Sequence, residues 1–547
     1  MLSKRLFQKI WTSYLEPPYE VDFIGYLEFN GKLVLNACDF IKLLNLIDSD
    51  AKLFHQTLDS LLRSANGNFA FLINNKGSFL LVTDIARNYP LFVIEEKDKF
   101  TITDKLGMVD FTTQLNYDSI DQFILSGLVI GDKTIFHNVK AMQAAEILTI
   151  NNSNITSKRY FKFDYDINLI DKRLNKNIHQ EMDKLFLTVF KRMIKSCPNV
   201  HNWIIPLSGG HDSRLIVNYL YRLGCKNVIC FTYGTANSEQ AIISKKVANA
   251  LGYKWYFIEY TDMAWSELHD SGLFDKYINF SFNGCCLPHI QDLLALYQLI
   301  KNNIIGNNDV VVPGHTGITE ATHIELKDIL TEDNSLFYIY NKYYNFFKHK
   351  TVKNKIIETL RTQKQNSQIS SSSFPEFYNW QERQAKFINN SVRAYEFFGL
   401  SWRLPFWEKD VVDFWQGIDF QKRINRTILF EADKELLLID ILSEIPFVDK
   451  YKKETTLVQQ ISNILPLWLK SRINIILRRK SIQAEGLNNA FALRAKTIKE
   501  LIGPIELFNK NYHIYFRPYL NRLPFQMNIN SLSALYTLRK EVFKSKE

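Results

Sequence analysis

Residues Trp203 to Val217 read WIIPLSGGHDSRLIV, and the order of residue types in this stretch decides the fold of the chain. The apolar run from Trp203 to Leu207 has the composition of a buried strand. It stops at Ser208-Gly209-Gly210, and a second apolar pattern begins directly after His211-Asp212-Ser213. In RLIVNYLYRLG, Leu215, Ile216, Leu220 and Leu223 share one face at helical spacing. A strand that passes into a helix through two glycines lets backbone amides come close to an anion. The helix N-terminus aims roughly half a positive charge at the same point. Ser208 and Ser213 add hydroxyl donors. Asp212 would repel a phosphate, but it is well placed for a Mg²⁺ that bridges to one. The same residues would also make a tight strand-to-helix turn with a serine cap. The GxxxxGK[ST] phosphate loop is absent here.

The pattern continues outward. VICFTYG reads as a strand, and SEQAIISKKVANALG as a helix with Ile243, Val247, Ala250 and Leu251 aligned. KWYFIEY follows as another strand. Gly224 and Gly252 stand where helices should stop. This β-α-β-α-β order predicts a parallel sheet with ligands at the carboxyl ends of its strands. Upstream, about 20 to 165, the period changes to short β-type runs separated by Asn30-Gly31 and Asn74-Asn75-Lys76-Gly77, as in hairpins. That half reads as a mainly antiparallel sheet domain. A Lys/Asn/Asp-rich passage near 165–180 separates the two, giving domains 1–175 and 176–547. Beyond about 285 the chain reads as largely helical, and RTQKQNSQISSSS at 361–373 as a surface loop or a partly disordered stretch.

With 547 residues, 46% of them hydrophobic and 14% aromatic, the chain is expected to be globular and to hold more than one core. No apolar run approaches the ~20 residues that cross a bilayer, and the opening MLSKRLFQKIWTSYLEPPYE reads as mature protein. The six cysteines form no CxxC pair and read as thiols of a reducing cytosol; the vicinal Cys285-Cys286 is the one unusual feature. Net charge is +10, with basic residues dense in PLWLKSRINIILRRKS. That face is either solvated or suited to an anionic membrane surface or substrate. No basic stripe with interleaved aromatics is present, so nucleic acid is not an expected partner. Peripheral membrane contact and self-association as a homodimer stay open.

At the residues SGGHDS the chain resembles the SGGxDS pyrophosphate loop of adenylating PP-loop enzymes, and the order of elements around it is similar to the synthetase domain of the asparagine synthetase family. GNFAFLI with LLVTDIARNYPLFV resembles that family's N-terminal glutaminase-type sheet domain. DQFILSGLVIGDKTIFHNVKAM resembles the linker after it. RAYEFFGLSWRLPFWEKDVVDF resembles the E-x-R-x-P-F segment, with Ser401 in place of the Glu. The resemblance covers about 60 to 460. It implies an Ntn-hydrolase-like antiparallel sheet domain followed by a helix-rich, adenine nucleotide alpha hydrolase-like parallel-sheet domain. It also implies ATP and Mg²⁺ as cofactors and an AMP-forming carbon–nitrogen ligase in the cytoplasm.

Ser208, Gly209, Gly210 and Ser213 are then implied to hold pyrophosphate, Asp212 the metal and the catalytic charge, and Leu207 and Tyr233-Gly234 the adenine. VVVPGHTGITEATH (310–323) resembles the second nucleotide loop, S-G-[ED]-G-x-D-E. Gly314 agrees with it, while Pro313 replaces the Ser, His315 the acid, and Ile318 falls where a metal-binding Asp belongs. Glu320 either supplies that carboxylate or faces solvent. His315 either touches the α-phosphate or substrate or is structural. In DKYKKETT, Lys453 followed by Glu454 matches the lysine that stabilises the adenylate, with Lys450 and Lys452 as rivals.

Glutaminase-active relatives carry a cysteine at the second encoded position; here Met1-Leu2-Ser3 stands there. Asn66-Gly67 matches the oxyanion-stabilising pair, but no glutamine hydrolysis is expected. Nitrogen would come from free ammonia, a separate amidotransferase or an amine on the substrate. Aspartate is the acid the resemblance implies first, leading to asparagine; a sugar acid of surface-polysaccharide biosynthesis is the competing acid. A catalytically degenerate nucleotide-binding scaffold of the same fold is the alternative. A tRNA-modifying PP-loop enzyme would leave the N-terminal sheet domain unexplained.

Overall fold

The computed structural model describes residues 2–47, 54–75, 77–97, 99–112, 114–151, 154–164, 178–315, 324–346, 350–423, 427–448, 490 and 529–541. The N-terminal half contributes β1 (Leu2–Arg5), β2 (Thr12–Glu16), β3 (Tyr19–Phe29), β4 (Lys32–Val34), β5 (Asn66–Asn75), β6 (Ser78–Thr83), β7 (Phe92–Glu96), β8 (Lys99–Thr103), β9 (Val139–Ala141), β10 (Glu146–Asn151) and β11 (Asn154–Arg159). They form two sheets rather than the single antiparallel sheet expected. One has the order β11-β10-β6-β5-β3-β2 with β4 beside β3, and the other β1-β8-β7-β9. Pairing is antiparallel throughout except between β1 and β8. The β3–β4 turn forms as read, because Asn30 and Gly31 both adopt positive φ (49° and 79°), which this two-residue hairpin demands.

The second half contributes β12 (Trp203–Pro206), β13 (Val228–Gly234), β14 (Lys254–Glu259), β15 (Val310–Val311) and β16 (Ser401–Trp402). They make an all-parallel sheet ordered β14-β13-β12-β15-β16. Successive residues alternate between two cores. Ile204, Ile229, Phe231 and Val311 face a core shared with the N-terminal sheets. Trp203, Ile205, Val228, Cys230 and Val310 face a second core built on the helix Ile178–Lys195 and the helix His211–Arg222. This two-sided burial is why the strands read as unbroken apolar runs. The chain order reverses between β12 and β15, so a crevice opens beyond their carboxyl ends.

The two halves are joined by side chain-to-backbone bonds. Asn68 Oδ1 accepts from the Leu404 amide (3.0 Å), Trp380 Nε1 donates to the Ile85 carbonyl (2.7 Å), and Arg393 Nη2 to that of Asn88 (2.6 Å). Tyr26 Oη donates to Glu408 Oε1 (2.6 Å). The expected loop at 361–373 is corrected by the structure. The helix Lys350–Ser367 runs through its first half, anchored upstream by buried Val352, Ile356 and Leu360. Arg361 and Lys364 reach Glu332 and Asp333 on a neighbouring helix. Tertiary ion pairs hold a stretch whose local composition reads as loop.

Candidate functional site

β12 ends at Pro206, and the residues after it are the floor and rim of a crevice of ≈ 610 Å³ at the reversal point. Leu207 lies beneath. Its amide donates to the Phe231 carbonyl (2.8 Å), and its own carbonyl accepts from Thr232 Oγ1 (2.7 Å), so its backbone belongs to the sheet. The turn then ties itself: the Ser208 amide donates to Ser213 Oγ (3.0 Å), the two hydroxyls lie 3.1 Å apart, and the Gly210 amide donates to Ser208 Oγ (3.2 Å).

Gly210 stands at the N-cap of the helix His211–Arg222 with extended backbone, and no side chain caps that helix. By contrast Asn116, Ser238, Thr261 and Thr331 each cap a helix elsewhere in the chain. A glycine cap costs little and leaves the first-turn amides facing the crevice, the arrangement that receives an anion.

The second loop meets the first here. The Val312 amide extends the ladder by donating to Ile204 (2.9 Å), after which Pro313, Gly314 and His315 line the crevice. A Cβ on Gly314 would stand 3.0 Å from the Ser213 nitrogen, so the loops pack backbone to backbone. Ser208, Gly210, Asp212, Ser213, Tyr233, Gly314 and His315 thus line one cavity. Gly209 and Gly234 are adjacent to it without lining it: the Gly209 carbonyl accepts from the Val448 amide and that of Gly234 from Tyr260 (both 2.9 Å). Glu320 and Lys453, with Lys450, Lys452 and Glu454, lie outside the described residues, as does the basic stretch at 466–481.

Several residues at the site carried no signal in the sequence. Pro446–Val448 folds over the turn, with Phe447 stacked on the His211 ring at 3.6 Å. Arg214 sits over the other residues of that cover, its Nη2 donating to Pro446 (2.8 Å) and its Cζ 3.8 Å from the Phe447 centroid. His211 Nδ1 pairs with Asp433 Oδ2, while Nε2 has no protein partner. Burial raises the Asp433 carboxyl above its ordinary range, against the opposing pull of His211. At the other end His289, Asp292 and Ser391 join His315, whose Nε2 lies 3.1 Å from Ser391 Oγ. Only folding brings 211, 289, 315, 391 and 433 together, and no spacing in the chain encodes it.

Burial pushes the His289 imidazole down to about 3, helped by the charges of His315 and Arg383, and the His315 imidazole down to about 4. In the unfolded chain both titrate near 6.5. Between about pH 6.5 and 4 the unfolded chain therefore binds more protons, and stability rises with pH across that window. This contribution is complete above about 6.5 and is lost as pH falls toward 4. In urea unfolding followed against pH, His315→Gln is expected to reduce the slope near pH 5 by about one proton. An unchanged slope would show that the imidazole is not held neutral.

The cavity is deep and polar enough for a nucleotide, with uncapped amides at one end and two neutral imidazoles at the other. A metal fits more narrowly. Among the described residues no three His, Cys, Asp or Glu side chains are arranged to hold one. Asp212 is a single carboxylate ligand, adequate for Mg²⁺ only when phosphate oxygens and water complete the shell.

Fold and site together define an α/β protein of antiparallel and parallel sheets with a polar crevice at the switch point of the parallel sheet. No family model and no curated protein matches the chain. Among solved structures it is similar to an NH3-dependent NAD synthetase from Campylobacter jejuni (16% identity, 39% of this chain and 96% of that one, TM-score 0.20). It is also similar to a glutamine phosphoribosylpyrophosphate amidotransferase from B. subtilis (12% identity, 45% and 72%, TM-score 0.20). A third, described as the allosteric regulatory enzyme of purine biosynthesis, has 9% identity, 46% and 62% coverage and a TM-score of 0.18. Among the described residues no helix is long and apolar enough to cross a membrane.

Proposed function

We propose that this chain is an ATP-dependent, amide-forming ligase of the asparagine synthetase kind, without glutaminase activity of its own. The observation that carries the reading is the glycine-capped helix His211–Arg222 at the end of β12, facing the second loop across one crevice. The substrate carboxylate oxygen attacks the α-phosphorus of ATP, the bond to the bridging oxygen breaks, and pyrophosphate leaves. Nitrogen then adds to the acyl carbon, AMP departs, and the surplus proton passes to a base. Charge builds on the leaving pyrophosphate, where the first-turn amides and the hydroxyls of Ser208 and Ser213 act. Asp212 would hold Mg²⁺, which supplies charge neutralisation when bound. Lys453 and Glu320 are retained as the adenylate lysine and a second acid.

Glutamine hydrolysis is left out of the proposed reaction. Asn66 Oδ1 accepts from the Asp410 amide (2.9 Å). A Cβ on Gly67 would lie 2.2 Å from the Tyr26 carbonyl oxygen. Both contacts leave the Asn66 Nδ2 donor uncommitted, and Cys38 is the single cysteine before residue 175. Nitrogen is then free ammonia, the product of a separate amidotransferase, or an amine of the substrate. The acid is aspartate or a sugar acid.

The test is substrate-dependent ATP–pyrophosphate exchange across aspartate, uronic acids and amino-acid-like acids. Exchange with one acid, lowered by about 100-fold or more in Asp212→Ala, is the expected result. ATP binding without exchange on any acid would replace the ligase with a nucleotide-binding scaffold, the reading that His315 in place of an acid favours.

A further inference from the structure

A second cavity, ≈ 650 Å³, lies at the seam between the N-terminal sheet and the helical region, and it shares no lining residue with the crevice at the strand ends. Its walls are the end of β11, the connection from β9 to β10, and the helix Lys350–Ser367. Arg159, the last residue of β11, projects into this seam. Its Nε and Nη2 are enclosed and have no protein partner, and its Cζ stands 5.4 Å from the centre of the Trp380 ring.

The acids near Arg159 are already engaged. Glu146 accepts from the Gln143 amide (2.6 Å). Glu382 accepts from the Gly131 amide (3.1 Å), from Gln381 Nε2 (2.7 Å), from Gln363 Nε2 and from Lys386 Nζ. Gln363 donates through Nε2 to Glu382, and its Oε1 has no protein partner. The same is true of Gln143 Oε1, on the same cavity wall. Lys162, whose Nζ donates to the Ser367 carbonyl (2.9 Å), adds a second cation.

Enclosed polar atoms left unpaired cost about 1–3 kcal/mol each, so native structures rarely keep four of them around one cavity without a use. The chemistry they leave open is specific. Two N–H groups on a permanent cation call for an anionic oxygen, and a planar guanidinium takes a carboxylate or a phosphate in fork geometry. Two amide oxygens call for donors, which a bare inorganic anion lacks and a hydroxylated molecule carries.

The geometry points to a binding site for a small hydroxylated organic anion, a sugar acid or a sugar phosphate, held by Arg159 and Lys162 at its charged end and by Gln143 and Gln363 at its hydroxyls. The site is independent of the ligase reading and stands if that reading fails.

Calorimetric titration of the full chain with glucose 6-phosphate, glucuronate, glucose and inorganic phosphate tests it. One of the two hydroxylated anions is expected to bind, and the preferred one identifies the charged group as phosphate or carboxylate. Glucose and inorganic phosphate are expected to bind at least ten times more weakly. Arg159→Gln is expected to lose at least ten-fold in affinity for the preferred anion, while Asp212→Ala keeps it. Should Arg159→Gln fail to fold, Lys162→Gln, which is only half-buried, is expected to lose at least three-fold. No binding of either hydroxylated anion, equal binding of glucose, or binding retained in a folded Arg159→Gln chain overturns the proposal. The last outcome would place the ligand in the crevice at the strand ends.

Discussion

If the chain is the ATP-dependent ligase proposed above, Gly209→Val is expected to weaken ATP binding by about 100-fold or more in a chain that still folds. The reason is the close approach of the Val448 side chain to the turn, which leaves no room for a Cβ at 209. A Cβ at 209 would lie 2.2 Å from Val448 Cγ2 and 3.2 Å from Val448 Cβ, while the Gly209 carbonyl takes the Val448 amide at 2.9 Å. To admit a side chain, either the Pro446–Val448 cover lifts or the turn moves. Lifting the cover strips Phe447 from His211 and breaks the bond from Arg214 to the Pro446 carbonyl. Moving the turn disturbs the Ser208–Ser213 bonds that fix where the first-turn amides point. Calorimetric titration with ATP, beside a circular dichroism spectrum, measures it. Unchanged affinity in a folded variant would remove the turn from the nucleotide site.

The second large effect is on stability. Lys386→Met is expected to cost about 3–5 kcal/mol of unfolding free energy in urea. Lys386 and Glu382 pair with both side chains 0% exposed, one turn apart in the π-helical segment Asn379–Ile388. The ammonium also donates to the carbonyls of Val129 (2.7 Å) and Gly131, which lie in the N-terminal half between the helix Tyr117–Ser126 and β9. Methionine fills the same space but abandons two carbonyls and a buried carboxylate. Adding Glu382→Gln to Lys386→Met is expected to recover part of the loss, because the stranded charge is then gone. A single variant within about 1 kcal/mol of the parent would falsify the assignment of this pair as the clamp between the halves.

Much of the fold was legible because it follows from local patterns. The apolar runs at 203–207 and 228–234, the helical faces after them, and the glycines at 224 and 252, which adopt φ of +79° and +70°, all dictate local conformation wherever the chain goes next. Hairpin turns such as Asn30-Gly31 are set the same way. The misreading of 361–373 marks the limit of that logic. A polar run carries no helical signal of its own, and Lys350–Ser367 is helical because apolar residues upstream anchor it and acids on another helix meet its cations.

The site divides along the same line. The sequence by itself determined the turn Ser208–Ser213 and its place at the end of a strand, because glycines, hydroxyls and the onset of a helix are neighbours along the chain. Only the tertiary structure decided what surrounds that turn, namely the His211–Asp433 pair, the cover at 446–448 and the imidazoles of 289 and 315, and likewise what leaves Nε and Nη2 of Arg159 without a partner at the seam. Those groups are distant in sequence. Their chemistry comes from burial and from the identity of their neighbours, quantities that exist only once the chain has closed on itself.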